Sequence, residues 1–202
     1  MKRTLIGAGV ALFVAAQVAS AATVRVSGDN VWKVFHDGEE IAAGGNWQAP
    51  TVTEFDLDGA GRALIAIYVH DAEPGAAGVG GMLADIILDD GTYIPTSEEV
   101  PGWVCDHGDP IEDRDDDWET VAFDDSEWLP LTFYDLFGAG VWGGGAAAMA
   151  AVFGDPEVEA YWSWCLGNGE TDEVYFHYRI GSLAVDANGK TATKWAALKR
   201  AL

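Results

Sequence analysis

Short apolar segments, separated by residues that favour turns, recur along the chain and predict an all-β fold. Residues 63–69 and 82–88 are nearly continuous apolar runs of strand length, as in the buried strands of a sandwich. Asp37-Gly38 separates two further strand-like segments and predicts a tight hairpin. Residues 158–164 and 174–180 have the same strand character. Strands at this spacing indicate a β-sandwich or a barrel.

The remaining segments have weaker patterns. Residues 95–130 are acidic and rich in turn residues, which predicts loops. A short helix is predicted over residues 146–152, although the neighbouring glycines disfavour it. We assign residues 22–182 to a single sandwich domain and residues 183–202 to a short irregular or helical C-terminal tail.

The first 21 residues have the features of a secretory signal peptide. Lys2 and Arg3 precede an apolar stretch over residues 5–18, and Ala19-Ser20-Ala21 is a small-residue cleavage pattern. No later segment approaches the roughly 20 apolar residues that a membrane-spanning helix needs. We therefore predict a protein without a membrane span that is secreted, periplasmic or held at the cell surface.

The charge balance narrows the range of partners. The chain has 33 acidic residues against 11 Lys and Arg, and its formal net charge is -22. Nucleic acids are excluded as partners, because phosphate binding relies on Lys and Arg. The acidity is compatible with cation binding or polysaccharide binding, and equally with solubility alone.

The sequence contains two cysteines, Cys105 and Cys165. An even pair in an exported protein predicts one disulfide, and two buried free thiols are the alternative. A zinc site is not indicated, because there is no CxxC motif and the four histidines are scattered.

Several short motifs follow one another in a recognisable order between residues 24 and 181. They are WKVFHDGEEI at 32–41, NW at 46–47, ALIAI at 63–67, GMLADI at 81–86, FDDSEW at 123–128, WSW at 162–164 and VYFH at 174–177. This order resembles that of the galactose-binding-like jelly-roll modules that stand beside the catalytic domains of bacterial α-L-rhamnosidases and related glycosidases. Arg62 and His177 depart from that pattern, which has Asn and Arg there.

The resemblance implies a jelly-roll β-sandwich that binds rather than catalyses. The (α/α) barrel of those glycosidases has no counterpart in the 202 residues. The chain also has no G-x-S-x-G nucleophile motif and no phosphate-binding loop with its lysine. We therefore expect a non-enzymatic protein.

The segment ETVAFDDSEW, residues 119–128, allows three interpretations. Asp and Ser side chains fix turns by bonding to nearby backbone N–H groups, and such a turn would hold Phe123 and Trp128 in the core. Asp124 and Asp125 could instead bind calcium, or act as a pair of catalytic carboxylates. We favour the turn, and the resemblance implies the same role.

A second acidic segment, residues 106–117, supplies further oxygen ligands of the kind that calcium prefers. It does not have the spacing of an EF-hand, and a solvated acidic loop is the alternative. Calcium is accordingly the one cofactor considered. The candidate ligands are Asp106, Asp109, Asp113, Asp124 and Asp125.

Nine tryptophans are a high count for 202 residues. Sugar-binding proteins stack flat aromatic rings on pyranose rings, so exposed tryptophans would indicate a glycan site. We predict core positions for Trp32, Trp128, Trp162 and Trp164. The tryptophans beside loops are the candidate ligand contacts: Trp47, Trp103, Trp118 and Trp142.

Together these features predict an exported, non-catalytic binding module whose first-choice ligand is a carbohydrate. One alternative is a structural or adhesive module that is stabilised by calcium and binds an extracellular protein. Another is an accessory subunit of a separate glycosidase. The step from sandwich to sugar rests on the resemblance, because one fold supports many functions.

Overall fold

A computed structural model describes residues 20–72, 79–143, 147–154, 159–167 and 170–181. The first strand begins at Ala21, one residue before the predicted start of the domain. Residues 1–19 of the predicted signal peptide lie outside these ranges, and so does the predicted C-terminal tail, residues 183–202. Within them, no helix has the length and apolar character needed to cross a membrane.

In the described part of the chain, twelve strands form two antiparallel sheets. The first sheet has the spatial order β10 (Thr132–Leu136), β11 (Tyr161–Trp164), β6 (Gly81–Leu88), β1 (Ala21–Asp29) and β4 (Thr51–Asp56), and β7 (Tyr93–Pro95) also pairs with β6. The second has the order β3 (Glu39–Gly44), β2 (Val31–His36), β5 (Ala63–His70), β12 (Glu173–Ile180), β8 (Val104–His107) and β9 (Leu129–Pro130). The predicted jelly-roll β-sandwich is confirmed.

The predicted hairpin joins β2 to β3. Asp37 and Gly38 have φ angles of 50° and 95°, so both adopt the left-handed conformation that a two-residue hairpin requires. The Asp37 carboxylate also accepts a hydrogen bond from the Leu64 backbone N–H at 2.7 Å. This contact ties the turn to the neighbouring strand β5.

The main core lies between the two sheets, and each sheet also packs a second apolar layer on its outer face. In β5, Ile65 and Ile67 point into the main core, whereas Leu64 and Ala66 point outward into the second layer. This double burial explains why β5 is continuously apolar rather than alternating. The indoles of Trp32, Trp162 and Trp164 are fully buried, as predicted.

The outer layers are built from segments that are not strands. Helix α1 (Ala147–Phe153) covers part of the first sheet through Met149 and Phe153. The acidic segment that follows β8 covers the second sheet, and it contains one short 3₁₀ turn, Ile111–Asp113. The helix was predicted one residue earlier, over 146–152.

The predicted disulfide between Cys105 and Cys165 is confirmed. Cys105 lies on β8 of the second sheet and Cys165 directly follows β11 of the first. Their Cα atoms are 5.7 Å apart, and both side chains are buried in the core. The bond therefore joins the two sheets covalently.

Three strands lie in or beside the region that the sequence predicted as loops. They are β8, β9 and β10, and each is short or at a sheet edge. Edge strands carry mixed polar and aromatic residues, because only one side of the strand needs a hydrogen-bonded neighbour. That composition gives little periodic signal in the sequence.

Candidate ligand-binding cleft

Three of the four tryptophans predicted to contact a ligand lie in the interior. Trp103, Trp118 and Trp142 expose at most 5% of their surface. Trp103 donates a hydrogen bond from Nε1 to the Pro95 carbonyl at 3.1 Å, and Trp142 donates one to Asp29 at 3.0 Å. This burial leaves the three indoles without the exposed ring face that a ligand contact needs, because loop segments fold back over the sheets and bury their own aromatic residues.

Trp47 is the one member of this group whose indole is partly accessible. Its ring meets Trp162 edge to face, with the centroids 6.0 Å apart. Trp142 stacks on the same Trp162 ring at 4.5 Å. The structure thus brings Trp47 and Trp142 to one aromatic cluster, and Trp47 remains a predicted ligand contact at its edge.

Asp125, a predicted calcium ligand, is engaged by two donors on β12. The Nδ1–H of His177 and the Nε–H of Arg179 both donate to the Oδ2 atom of Asp125, each at 2.8 Å. Burial alone would raise the pKa of Asp125, but these two donors outweigh it and hold the pKa below its usual value. The carboxylate is therefore charged and already occupied by protein groups.

The rest of the FDDSEW turn is held by backbone contacts. Asp124 accepts a hydrogen bond from the Ser126 backbone N–H at 3.1 Å, as expected for a turn-fixing aspartate. Trp128 packs on the His177 ring with the centroids 4.0 Å apart. The predicted core position of Trp128 and Phe123 needs correction: both are half-buried on the outer face of the second sheet, not between the sheets.

The other candidate calcium ligands are spread along the acidic segment. Asp106 forms an ion pair with Arg114 at 3.1 Å. The backbone N–H of Asp113 donates to the Pro110 carbonyl, and the Asp109 carbonyl accepts a hydrogen bond from the Tyr175 hydroxyl. Among the described residues, no three His, Cys, Asp or Glu side chains converge so as to hold a metal ion. The calcium role stays a prediction.

An open cleft occurs instead at the edge of the first sheet, where two short strands share one side of β6. Strand β11 pairs with β6 at Met82, and β7 pairs with its residues 85–87. Thr96 joins the two strands: its carbonyl accepts a hydrogen bond from the Tyr161 N–H at 2.7 Å, and its hydroxyl lies within hydrogen-bond distance of the Ala84 and Tyr161 carbonyls, at 3.0 and 2.8 Å. The chain leaves the sheet beyond this junction and opens a notch.

We call this notch the edge cleft, and its volume is about 370 Å³. Three separate segments line it: the turn after β7, strand β10, and the start of β11. Its rings are Phe133, Tyr134 and Tyr161, and its carboxylates are Glu98, Glu99 and Glu159. Ser97 and Leu136 complete the lining.

The two kinds of side chain in the edge cleft are complementary. The rings of Phe133 and Tyr161 are nearly perpendicular, with centroids 6.5 Å apart, so they form a corner rather than a flat wall. A carboxylate accepts hydrogen bonds and donates none. The cleft can therefore pack an apolar face against its rings while binding hydroxyl or amino groups along its rim.

A second, smaller cleft of about 220 Å³ lies beside the FDDSEW turn. Its charged lining residues already pair within the protein: Arg62 bonds to Asp58 at 2.8 Å, and Arg179 bonds to Asp125. A ligand there would have to displace these ion pairs. The edge cleft offers carboxylates that need no such displacement.

Sequence reasoning did not identify any residue of the edge cleft as a site residue. Glutamates 98 and 99 and Glu159 are about 60 positions apart, and the ring positions belong to strands with ordinary composition. Only the shared edge of β6 brings them together. No local motif carries that information.

Comparisons with known proteins agree with this architecture. No family model matches the chain. Over 131 residues the chain is 28% identical to an α-L-rhamnosidase from Streptomyces avermitilis, a match that covers 61% of this chain and 12% of the enzyme. The structure is also similar to the apo form of Pleurotus ostreatus lectin, with a TM-score of 0.50 and 14% identity, over 80% of this chain and 63% of the lectin chain.

The chain resembles a galactose-binding-like module. The resemblance predicted from the motif order is thereby confirmed, and the lectin shows that the sandwich fold is shared. Because the chain spans only 12% of the rhamnosidase, the activity of that enzyme is not carried over to this chain.

Proposed function

We propose that this galactose-binding-like sandwich is an exported, non-catalytic carbohydrate-binding protein and that the edge cleft is its glycan site. The observation that carries the proposal is the meeting of three rings and three carboxylates in one open cleft of about 370 Å³. That volume lies within the range of small-molecule sites, roughly 300–1,000 Å³. The lectin neighbour and the rhamnosidase relative support a sugar as the ligand.

The chemistry of the cleft suits a sugar ring. A pyranose presents C–H groups on one face and hydroxyls around its edge. The corner formed by Phe133 and Tyr161 would receive the C–H face, and the carboxylates of Glu98 and Glu159 would accept hydrogen bonds from the hydroxyls. Phe133 and Tyr161 are half-buried, so part of each ring is accessible.

A binding role is favoured over hydrolysis by the exposure of the glutamates. A glycosidase needs one carboxyl that stays protonated near neutral pH, and burial in apolar surroundings is the usual means. Glu98, Glu99 and Glu159 are all solvent-exposed. We expect no release of reducing ends when the protein is incubated with an oligosaccharide that it binds.

A glycan-array screen of the protein, followed by calorimetric titration of the best oligosaccharide, tests the proposal. Tyr161→Ala should weaken binding by at least about tenfold, because a buried aromatic contact is among the larger contributors to affinity. Trp47→Ala is the matched control, because it removes a half-buried ring outside the edge cleft. Loss of affinity in Trp47→Ala but not in Tyr161→Ala would move the site to Trp47 and overturn the assignment.

A further inference from the structure

We infer that the edge cleft selects glycans that carry free amino groups, such as glucosamine units, over neutral and acidic ones. This inference rests on the proposed function and specifies its ligand class. The geometry points to it because the cleft combines three carboxylates with aromatic rings, and none of the described residues that line it is Lys, Arg or His. A protonated sugar amine supplies that missing charge.

The cleft carboxylates are unpaired within the part of the chain that the structure describes. Within the described part of the chain, Glu98, Glu99 and Glu159 have neither a hydrogen-bond partner nor an ion-pair partner for their side chains. Other acidic side chains do have partners: Asp85 pairs with Arg25, and Asp58 pairs with Arg62. The negative charge of the cleft is therefore available to a ligand.

No basic side chain among the described lining residues moderates this charge. Among the described residues that line the edge cleft, none is Lys, Arg or His. Three like charges around one small cavity raise its affinity for a cation, because the Coulomb energies of the three carboxylates add. The same charges repel a uronate or a sulfated sugar.

The aromatic rings of the cleft add a second attraction for a cation. The faces of Tyr and Phe rings attract an ammonium group within about 6 Å, because the ring quadrupole is negative above its plane. Phe133, Tyr134 and Tyr161 lie in the same cleft as the carboxylates. An amino sugar can thus place its C–H face on one ring and its ammonium group between rings and glutamates.

The experiment compares three β-1,4-linked trisaccharides by calorimetric titration near neutral pH: glucosamine, N-acetylglucosamine and glucose trimers. We expect the glucosamine trimer to bind about tenfold more tightly than the other two, since each exposed ion pair contributes modestly. We call this difference in affinity between the glucosamine trimer and the other two sugars the amine margin. It should shrink when ionic strength rises from about 0.01 M to about 0.1 M, which shortens the Debye length from about 30 to about 10 Å. Equal affinities for the three sugars would overturn the inference.

The triple variant E98Q/E99Q/E159Q should abolish the amine margin, so that the glucosamine trimer binds no more tightly than the glucose trimer. The protein is acidic overall, so the matched control is E39Q/E54Q/E127Q, which removes three exposed glutamates from other strands and turns. The control should keep the full margin. A control that loses the margin as completely as the cleft variant would show general charge attraction and would overturn the inference.

The outcomes separate this inference from the proposed function. Neutral trisaccharides that bind at Tyr161 without an amine margin would refute the amino-sugar preference and leave the glycan site standing. Absence of binding to any sugar on an array would refute both. Binding of lysine-rich peptides in place of sugars, lost in the cleft variant, would also refute both and would assign the cleft to a protein partner.

Discussion

The two outer faces of the sandwich are covered in different ways, and the difference separates binding from stability. On the first sheet, Arg25 donates to both oxygens of Asp85, at 2.6 and 2.5 Å, and to the carbonyl of Val152 on helix α1. On the second sheet, Asp125 on the covering segment receives hydrogen bonds from His177 and Arg179 of β12.

Helix α1, here called the first cover, is held to the first sheet by one buried charge pair. The acidic segment that follows β8, here called the second cover, is held to the second sheet by the neutral His177 ring and its aromatic neighbours. The Asp85 side chain is fully buried, and the Arg25 guanidinium also lies 5.3 Å from the Phe153 ring. The His177 ring lies between Trp118 and Trp128. Only the first cover reaches the edge cleft, because Tyr134 packs against its apolar cluster and lines the cleft.

Asp85→Ala should give the largest effect and should disturb the first cover alone. Removing one partner of a buried pair leaves Arg25 uncompensated, which typically costs about 3–5 kcal/mol. We expect that loss in the free energy of unfolding measured with denaturant, together with weaker glycan binding. Asp56→Ala, an exposed position on β4 of the same sheet, is the control and should be close to neutral. Normal binding by Asp85→Ala would break the proposed link between this cover and the cleft.

Asp125→Ala should have an intermediate effect and should disturb the second cover alone. The substitution leaves a fully buried imidazole without its acceptor, and such a loss costs about 1–3 kcal/mol. Glycan affinity should not change, because no residue between 108 and 128 lines the edge cleft. Denaturant unfolding and calorimetric titration of one protein preparation check both expectations.

Acidification should weaken the second cover before the first. Burial lowers the pKa of His177 below its usual value, with Asp125 opposing the shift only in part. The unfolded chain therefore takes up a proton at His177 before the folded protein does, so stability falls as pH drops below about 6.5. The lowered pKa of Asp125 adds a further loss at lower pH, in the same direction.

To check this, the free energy of unfolding is measured for the parent protein and for His177→Gln between about pH 7 and pH 5. This interval surrounds the usual pKa of histidine. Glutamine keeps an N–H donor for Asp125 but does not titrate. The variant should have the flatter profile. A parent protein whose stability does not change over this interval would contradict the assignment.

Asp124→Ala should give the smallest effect, because Asp124 is exposed and its hydrogen bonding is to the neighbouring Ser126 within the same turn. The same variant examines the calcium hypothesis for Asp124 and its neighbours. We expect its melting temperature to respond equally to calcium and to magnesium at matched ionic strength. If the variant is less stable than the parent protein in calcium but equally stable in chelator, Asp124 would be identified as a metal ligand.

The sequence predicted the sandwich because its central strands are locally unambiguous. Residues 63–69 have no charged side chain, and Asp37-Gly38 specifies its hairpin through backbone conformation alone. The inter-sheet disulfide could also be predicted, since the only two cysteines had to pair with each other if they paired at all. These features depend on local chemistry, not on the path of the chain.

The covers and the cleft could not be predicted, because they depend on how distant segments meet. An indole in an acidic loop has the same local sequence whether the loop extends into solvent or folds onto a sheet, as observed for Trp118. Glu99 and Glu159 meet only because β7 and β11 share one edge of β6. Strand order is a property of the whole fold, and no window of sequence encodes it.

The covalent bridge between the sheets has a mechanical consequence. Pulling on the two ends of the chain transmits tension through Cys105 and Cys165 directly, and the 60-residue interval that they enclose carries none of it. Fully extended, that interval would span about 200 Å. Phe133, Tyr134, Glu159 and Tyr161 all lie inside this loop, so most of the cleft is shielded from a load that could peel away the strands outside it.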